Sequence, residues 1–113
     1  MTIKLKVRDQ SDYADALSCP VCNESYLHQG ATTVYSRGQD SETVVATRIA
    51  QFRGVHSSTI LDAKSRNPSC RRDGIRIEME CEHCGEIGDM LIYQHKGCTF
   101  LEWDLQDGFN PRG

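Results

Sequence analysis

The chain has 113 residues, a net charge of −3 and 26% charged residues. Domains commonly hold about 100 to 150 residues, so this length predicts a single domain. No run of about 18 apolar residues is present, and the N-terminus lacks the basic start and apolar segment of a secretion signal. These features argue against a membrane span and against export, and we predict a soluble, cytoplasmic protein.

The first predicted element is a half-buried strand near the N-terminus. Ile3, Leu5 and Val7 alternate with charged residues, which places apolar side chains on one face of an extended segment. The polar stretch 9–18 follows it and predicts one short helical turn.

Two β-rich segments then predict a hairpin. Residues 31–36 and 43–52 are rich in threonine, valine, isoleucine and tyrosine, and residues 37–40 have the composition of a turn. Further along, residues 75–79 alternate apolar and charged side chains and lead directly to Cys81, as a strand entering a metal-binding turn would.

The C-terminal part predicts two more strands and a tail. Residues 90–93 are apolar on both faces, which favours a central, buried strand. A turn at Lys96-Gly97 leads to a strand over 99–103. We assign residues 1–103 to the domain and residues 104–113, which contain glycine and proline, to a loose tail. The predicted fold class is mainly β, a single-domain antiparallel sheet with zinc-ribbon knuckles and a long insertion between them.

Four of the six cysteines form two C-x-x-C pairs, Cys19 with Cys22 and Cys81 with Cys84. Two residues between cysteines let both thiolates of one turn point at one ion, and two such turns complete a tetrahedral shell. The spacing predicts one structural Zn²⁺ per chain. The intervening residues 23–80 far exceed the roughly 15 to 20 residues of a compact ribbon, so the chain must leave the site and return.

Other assignments of the cysteines and histidines stay open. Disulfides or redox chemistry of a C-x-x-C pair are alternatives to zinc. His28 could replace one sulfur, whereas His83 would point away from its own knuckle. Cys70 and Cys98 are predicted to be small, partly buried thiols, and a second metal site using Cys70, Cys98 and His95 is a weaker alternative.

No enzyme is predicted. A zinc deaminase needs a His-x-Glu motif, and none of the four histidines is followed two residues later by glutamate. A nuclease with a zinc-stabilised His-Asn-His core needs a histidine pair that the chain does not offer. A closed shell of four sulfurs also leaves no position for water or substrate.

Charge is unevenly distributed, and its densest basic segment is the loop 64–76. The segment holds five basic residues and one acidic residue, Asp73. Its basic residues could contact phosphate, because arginine presents fork-like donors to phosphate oxygens. The alternative is a solvated surface, or pairing with glutamates 78, 80, 82 and 86, and we favour it because the sequence pI is about 5.7. The five candidates are Lys64, Arg66, Arg71, Arg72 and Arg76.

Several blocks combine the cysteine pairs with turn residues: Cys19-Pro-Val-Cys22 with Tyr26-Leu27-His28, Asn67-Pro-Ser-Cys-Arg-Arg-Asp-Gly74, Cys81-Glu-His-Cys-Gly85, and Gln94-His-Lys-Gly97 before Phe100-Leu-Glu-Trp103. Together they resemble small zinc-ribbon proteins encoded by actinobacterial phages and related mobile elements. The resemblance implies a zinc-bound β fold and a phage setting, with the host cytoplasm as location, and no assigned activity.

Two hypotheses for function follow. The preferred one is a non-catalytic, zinc-stabilised adaptor or inhibitor that binds a protein partner through its sheet face or its acidic C-terminal half. The alternative is a nucleic-acid-binding zinc ribbon that uses the loop 64–76, with aromatic residues such as Tyr93 or Trp103 as stacking partners. Membrane binding is not expected.

Overall fold

The computed structural model describes residues 2–9 and 15–111. Within them the chain forms β-strands and one short 3-10 helix, Asp62–Lys64. The strands are β1 Thr2–Lys4, β2 Val7–Asp9, β3 Asp15–Leu17, β4 Leu27–Ser36, β5 Thr43–Ala50, β6 Gly54–Leu61, β7 Gly74–Cys81, β8 Gly85–His95 and β9 Cys98–Leu105.

One antiparallel sheet contains seven of these strands in the order β1-β9-β8-β7-β4-β5-β6. β2 and β3 form a separate two-stranded hairpin. The prediction of a mainly β, single-domain antiparallel fold is therefore confirmed. The predicted hairpin over 31–36 and 43–52 is also present, as the pairing of β4 with β5.

The long insertion leaves the first cysteine pair along β4 and returns to the second along β7. These two strands are antiparallel neighbours, and Leu27 at the start of β4 pairs with Cys81 at the end of β7. β5 and β6 extend the sheet beyond β4 as a further hairpin. The sequence did not predict β6, because its central residues are small and polar and lack a strong alternation of apolar and charged side chains.

The core lies at the cysteine end of the sheet. Its buried residues are Cys19, Met79, Cys81, Ile87, Trp103 and Leu105. Side chains from the N-terminal segments pack against it, including Leu5, Leu17 and Val21. The core therefore joins the N-terminal hairpin, the first cysteine turn and one end of the sheet.

Two expectations for the ends of the domain need correction. The helical turn expected over 9–18 is contradicted at residues 15–17, which form strand β3, while residues 10–14 lie outside the described part of the chain. Asp104 and Leu105, which were expected in the tail 104–113, belong to β9 instead. β9 continues through Leu105, which is buried, and Phe109 packs against the core, because both apolar side chains find cover there. No helix in the described ranges has the length and apolar character needed to cross a membrane.

A β-bulge in β8 directs Ile87 into the core. Met79 pairs with Gly88 and Glu80 pairs with Glu86, so Ile87 is the extra residue, and it is fully buried. Gly88 has φ +143°, and a Cβ atom there would lie 2.2 Å from the Asp104 carbonyl oxygen and 2.8 Å from Leu105 Cα. Glycine is required here by both conformation and space.

Replacing Gly88 by alanine should therefore destabilise the protein strongly. The contacting atoms belong to the backbone of β9 and cannot rotate away, so we expect a loss of about 2 to 4 kcal/mol in the free energy of unfolding, from overpacking and backbone strain together. Gly54→Ala is the matched control, because Gly54 also has positive φ but its Cβ would meet nothing within 4 Å. Urea denaturation of both variants measures the difference, and equal losses would contradict this account of the bulge.

Candidate metal centre

The first knuckle is a tight turn between β3 and β4. The Cys19 N–H donates to the Glu24 carbonyl at 2.6 Å, and the Asn23 N–H donates to the Cys19 carbonyl at 2.8 Å. Asn23 has φ +68°, a left-handed conformation that asparagine tolerates better than most residues. The turn thereby closes directly after its second cysteine.

The second knuckle connects β7 to β8 and repeats this geometry. Cys81 is the last residue of β7, and Gly85, with φ +86°, is the first of β8. The His83 N–H donates to Cys81 Sγ at 3.4 Å. Asn23 and Gly85 hold equivalent places, each just after a C-x-x-C pair. Asparagine after the second cysteine is the local sequence signal for this turn in the first knuckle, as glycine is in the second.

Pairing of β4 with β7 brings the knuckles together. The Glu82 N–H donates to the Tyr26 carbonyl at 3.0 Å, next to the Leu27–Cys81 register pair. The ligand atoms of all four cysteines lie within 4.8 Å of one another, and Cys22 Sγ is 3.6 Å from Cys81 Sγ. Metal–sulfur bonds of about 2.3 Å in a tetrahedron place sulfurs roughly 3.8 Å apart. The cluster of Cys19, Cys22, Cys81 and Cys84 therefore fits a tetrahedral metal ion.

Burial and charge at the four thiols are unequal. Cys19 and Cys81 are buried, while Cys22 and Cys84 are half-buried. Burial raises the pKa of Cys19. Burial also opposes ionisation of Cys81, but the N–H groups of Cys84 and His83 favour its thiolate, and its pKa is lowered. Burial, followed by hydrogen bonds with Cys22 and Cys81, raises the pKa of Cys84 to about 12. The surroundings thus favour the thiolate form of Cys81. They disfavour the thiolate form of Cys84, which a bound cation would stabilise.

The remaining histidines and cysteines lie outside this cluster. His28 Nε2 is 3.0 Å from Glu82 Oε1 on the surface. Cys70 Sγ lies 3.5 Å from His95 Nδ1, but in the described residues the only group of three or more potential ligands is that of the four knuckle cysteines. The second site using Cys70, Cys98 and His95 is thus not formed. Both lone cysteines are exposed, rather than partly buried as predicted, because Cys70 lies on a surface loop and Cys98 begins β9 directly after a surface turn.

The basic loop 64–76 makes ion pairs with aspartates. Arg71 donates to both carboxylate oxygens of Asp40, at 2.9 and 2.8 Å, and chiefly through these bonds the pKa of Asp40 is lowered. Arg72 donates to Gln39 Oε1 at 2.6 Å. These contacts tie the loop to the turn between β4 and β5.

The other two arginines of the segment 64–76 are Arg66 in the loop and Arg76 in β7, and both approach aspartates of β8 and β9. Arg76 Nη1 lies 3.0 Å from Asp89 and 2.9 Å from Asp104, and its side chain is 14% exposed. Arg66 lies 3.7 and 3.9 Å from the same two carboxylates, whereas Lys64 ends the 3-10 helix and is exposed. Glutamates 78, 80, 82 and 86 were the expected partners. The partners observed for Arg66, Arg71 and Arg76 are aspartates, which the sheet register brings close and sequence spacing does not reveal.

Comparison with known proteins found no matching family model, no matching curated protein and no matching solved structure. The resemblance to phage-encoded zinc ribbons stays a prediction.

Metal affinity of the cysteine cluster should fall as the pH falls. Bound cysteines are thiolates, whereas unfolded cysteines have pKa values near 8.5, so the metal-bound fold carries fewer protons than the unfolded chain at neutral pH. Stability from the metal is therefore present above about pH 8.5 and is progressively lost on acidification. Competition with a chelator between about pH 6 and pH 8 measures this dependence. A pH-independent affinity over that window would contradict ligation by thiols.

Proposed function

We propose that the protein is a non-catalytic binding module whose fold is stabilised by one structural Zn²⁺ and which acts by binding a protein partner. The observation that carries the proposal is the convergence of four cysteine ligand atoms within 4.8 Å. Four protein ligands complete the tetrahedral shell of zinc and leave no open position for water or substrate. The role of the metal is then to join the first knuckle to the sheet.

The surface supports a protein partner better than a charged ligand. Most arginines of the basic loop already pair with carboxylates, as described above. Large apolar side chains are exposed elsewhere, including Tyr26 at 62% beside the first knuckle and several on the sheet. Exposed apolar patches commonly mark sites of protein association. The proposal places this activity in the cytoplasm, which is the host cytoplasm for a phage-encoded chain.

The redox alternative fits the cluster less well. A catalytic C-x-x-C motif needs an accessible thiol whose pKa is lowered. Cys19 has no exposed surface and its pKa is raised by burial. Cys81, whose pKa is lowered, is only 1% exposed. At Cys19 and Cys81 a lowered pKa and an accessible thiol do not occur together, whereas structural metal binding uses all four cysteines.

Purified protein should contain one zinc per chain, and Cys81→Ser should remove it. Structural zinc contributes about 10 to 16 kcal/mol in small peptides, so loss of the ion should unfold at least the knuckle end of the domain. Elemental analysis identifies zinc and separates it from iron, which also binds tetrahedral sulfur sites. Thermal melting reports the loss of structure.

The double variant Cys70→Ser, Cys98→Ser is the matched control for this experiment. Both cysteines are exposed and lie outside the cluster, so zinc content and melting temperature should stay close to those of the native chain. Metal-free native protein, or a Cys81→Ser variant that melts unchanged, would refute the structural zinc site.

A second candidate function is nucleic-acid binding at the basic loop. It is favoured by an open groove of about 460 Å³ whose lining includes Arg71, Arg72, His95 and Lys96. Backbone phosphates could enter such a groove and compete with Asp40 for Arg71. The neutralising aspartate is the reason that we rank this function below protein binding.

Binding to labelled DNA and RNA, measured by fluorescence anisotropy at low and moderate salt, distinguishes the two functions. Under the preferred function the native protein shows no salt-sensitive binding. Under the alternative, micromolar binding weakens with salt, and the Arg71→Ala, Arg72→Ala variant reduces the salt slope by roughly 0.9 per lost contact on duplex DNA. Arg48→Ala is the control, since Arg48 is an exposed, ion-paired arginine outside the loop.

A further inference from the structure

The two faces of the seven-stranded sheet differ sharply in chemistry. Residues paired across antiparallel strands lie on the same face, so the register assigns every strand position to one face or the other. One line of partners runs from Ile3 through Trp103, Met90, Ile77, Thr32 and Ile49 to Val55, across all seven strands. A second, parallel line runs from Leu101 through Ile92, Ile75, Val34 and Thr47 to Ser57.

Only the cysteine end of this apolar face is covered. Trp103 is fully buried there, and Met90 and Ile77 pack against the core. Away from that end the same face is open. We call this part the open face and define it by six residues, Val34, Val45, Ile49, Val55, Ile92 and Leu101. Val55 is 67% exposed, Leu101 52% and Ile49 49%, values unusual for neighbouring large apolar side chains on a sheet.

Charge is confined to the opposite face. Arg48 and Arg76 both pair with Thr33, and Leu91 links Arg76 to Glu102, so these residues lie on the side away from Val34. By the same register, the lysine, arginine, aspartate and glutamate residues of the seven described strands all lie on that opposite face. This face of the strands offers apolar side chains, hydroxyls and the Gln94 amide, which donates to Thr99 Oγ1 at 2.7 Å, and no charged side chain.

The opposite face has its own cover at this end of the sheet. The Arg76 guanidinium donates to the Arg66 carbonyl, and the Ser69 hydroxyl donates to the Gln94 carbonyl at 2.6 Å. Residues 62–73 therefore lie against that face, where Tyr35 is buried. A sheet is stable when each apolar face packs on a second layer. In the described part of the chain, the open face has no such layer.

We propose that the open face is the interface of a homodimer, in which two copies stack face to face as a β-sandwich. A chain with a net charge of −3 repels its own copies in general, but at a surface without charges no like charges are brought together. A partner that binds through charged side chains would find no oppositely charged group on the open face. The required partner is a neutral, apolar sheet surface, and the open face of a second copy is such a surface.

The dimensions of the face suit a stable dimer. Six strands at about 4.8 Å spacing and two to three open side-chain rows about 6.8 Å apart give roughly 400 to 600 Å² in projection, and more in accessible area because the side chains form ridges. Standard interfaces bury about 800 Å² per partner. Two-fold pairing of one patch with itself is the commonest form of homodimer, and aligned sheets pack about 10 Å apart.

Ile49→Lys tests the interface directly. Each dimer would bury two unpaired ammonium groups near the interface, so the dissociation constant should rise by at least roughly 100-fold. The substitution also lowers the net negative charge, which removes general repulsion as an explanation for dissociation. Sedimentation equilibrium of the native chain and the variant, over about 1 to 100 μM, measures the change. Zinc content and circular dichroism confirm that the variant is folded.

Two adjacent serines provide a matched pair of further variants. Ser57 and Ser58 are both exposed residues of β6, but Ser57 lies on the open face opposite Thr47 and Ser58 on the other face opposite Ala46. Ser57→Lys should weaken the dimer at least tenfold, and Ser58→Lys should leave its dissociation constant unchanged within about twofold. Neither serine belongs to the metal cluster, so the comparison does not depend on the proposed zinc site.

Several outcomes would overturn the proposal. A native chain that remains monomeric at about 100 μM has no such interface, and its open face must then be covered by a different partner or segment. A dimer that survives Ile49→Lys uses another surface, such as edge-to-edge pairing of β6. X-ray scattering separates these cases, because stacked sheets give a compact particle and edge pairing gives an elongated one.

Discussion

Antiparallel pairing of β4 with β7 is the interaction on which the rest of the structure depends. It sets Leu27 opposite Cys81 and thereby places the first knuckle beside the second. Without this register the four thiols would belong to two separate turns, each able to offer only two ligands. The same pairing forms the middle of the sheet and carries β5 and β6 outward on one side and β8 and β9 on the other. Metal geometry and sheet order are thus two results of one register.

Stabilisation is distributed unequally along the sheet. At the cysteine end, the proposed metal, the buried Trp103 and the N-terminal hairpin pack together. At the other end, residues 62–73 are attached through hydrogen bonds and ion pairs, of which the Arg71–Asp40 pair is exposed and therefore contributes little to stability. The Arg76 pair with Asp89 and Asp104 is better shielded from solvent. It connects the two ends, because Asp104 precedes Leu105 of the core.

Most of the strands and the cysteine cluster could be predicted from the sequence, because both correspond to local residue patterns. Alternation revealed β7, and the two C-x-x-C pairs revealed the cluster. The features that the sequence did not predict depend on contacts between residues far apart in the chain. β6 has little alternation of its own and is held by pairing with β5. Asn23 takes the place of a glycine without resembling one, and the aspartate partners of the basic loop come close only in the folded sheet. Leu105 was assigned to a tail because its cover comes from residues far along the chain.

The 58 residues between Cys22 and Cys81 also bear on the entropy of the unfolded chain. A metal that joins the two knuckles closes a long loop, and closure entropy grows only with the logarithm of loop length, by about 0.6 kcal/mol for each doubling. Relative to a compact ribbon of roughly 15 to 20 residues, the additional cost is only about 1 kcal/mol. Four strands, β4 to β7, can therefore be accommodated between the halves of such a site at a small cost in closure free energy. The β5–β6 hairpin can differ in length and surface without disturbing the β4–β7 register that holds the metal-binding end.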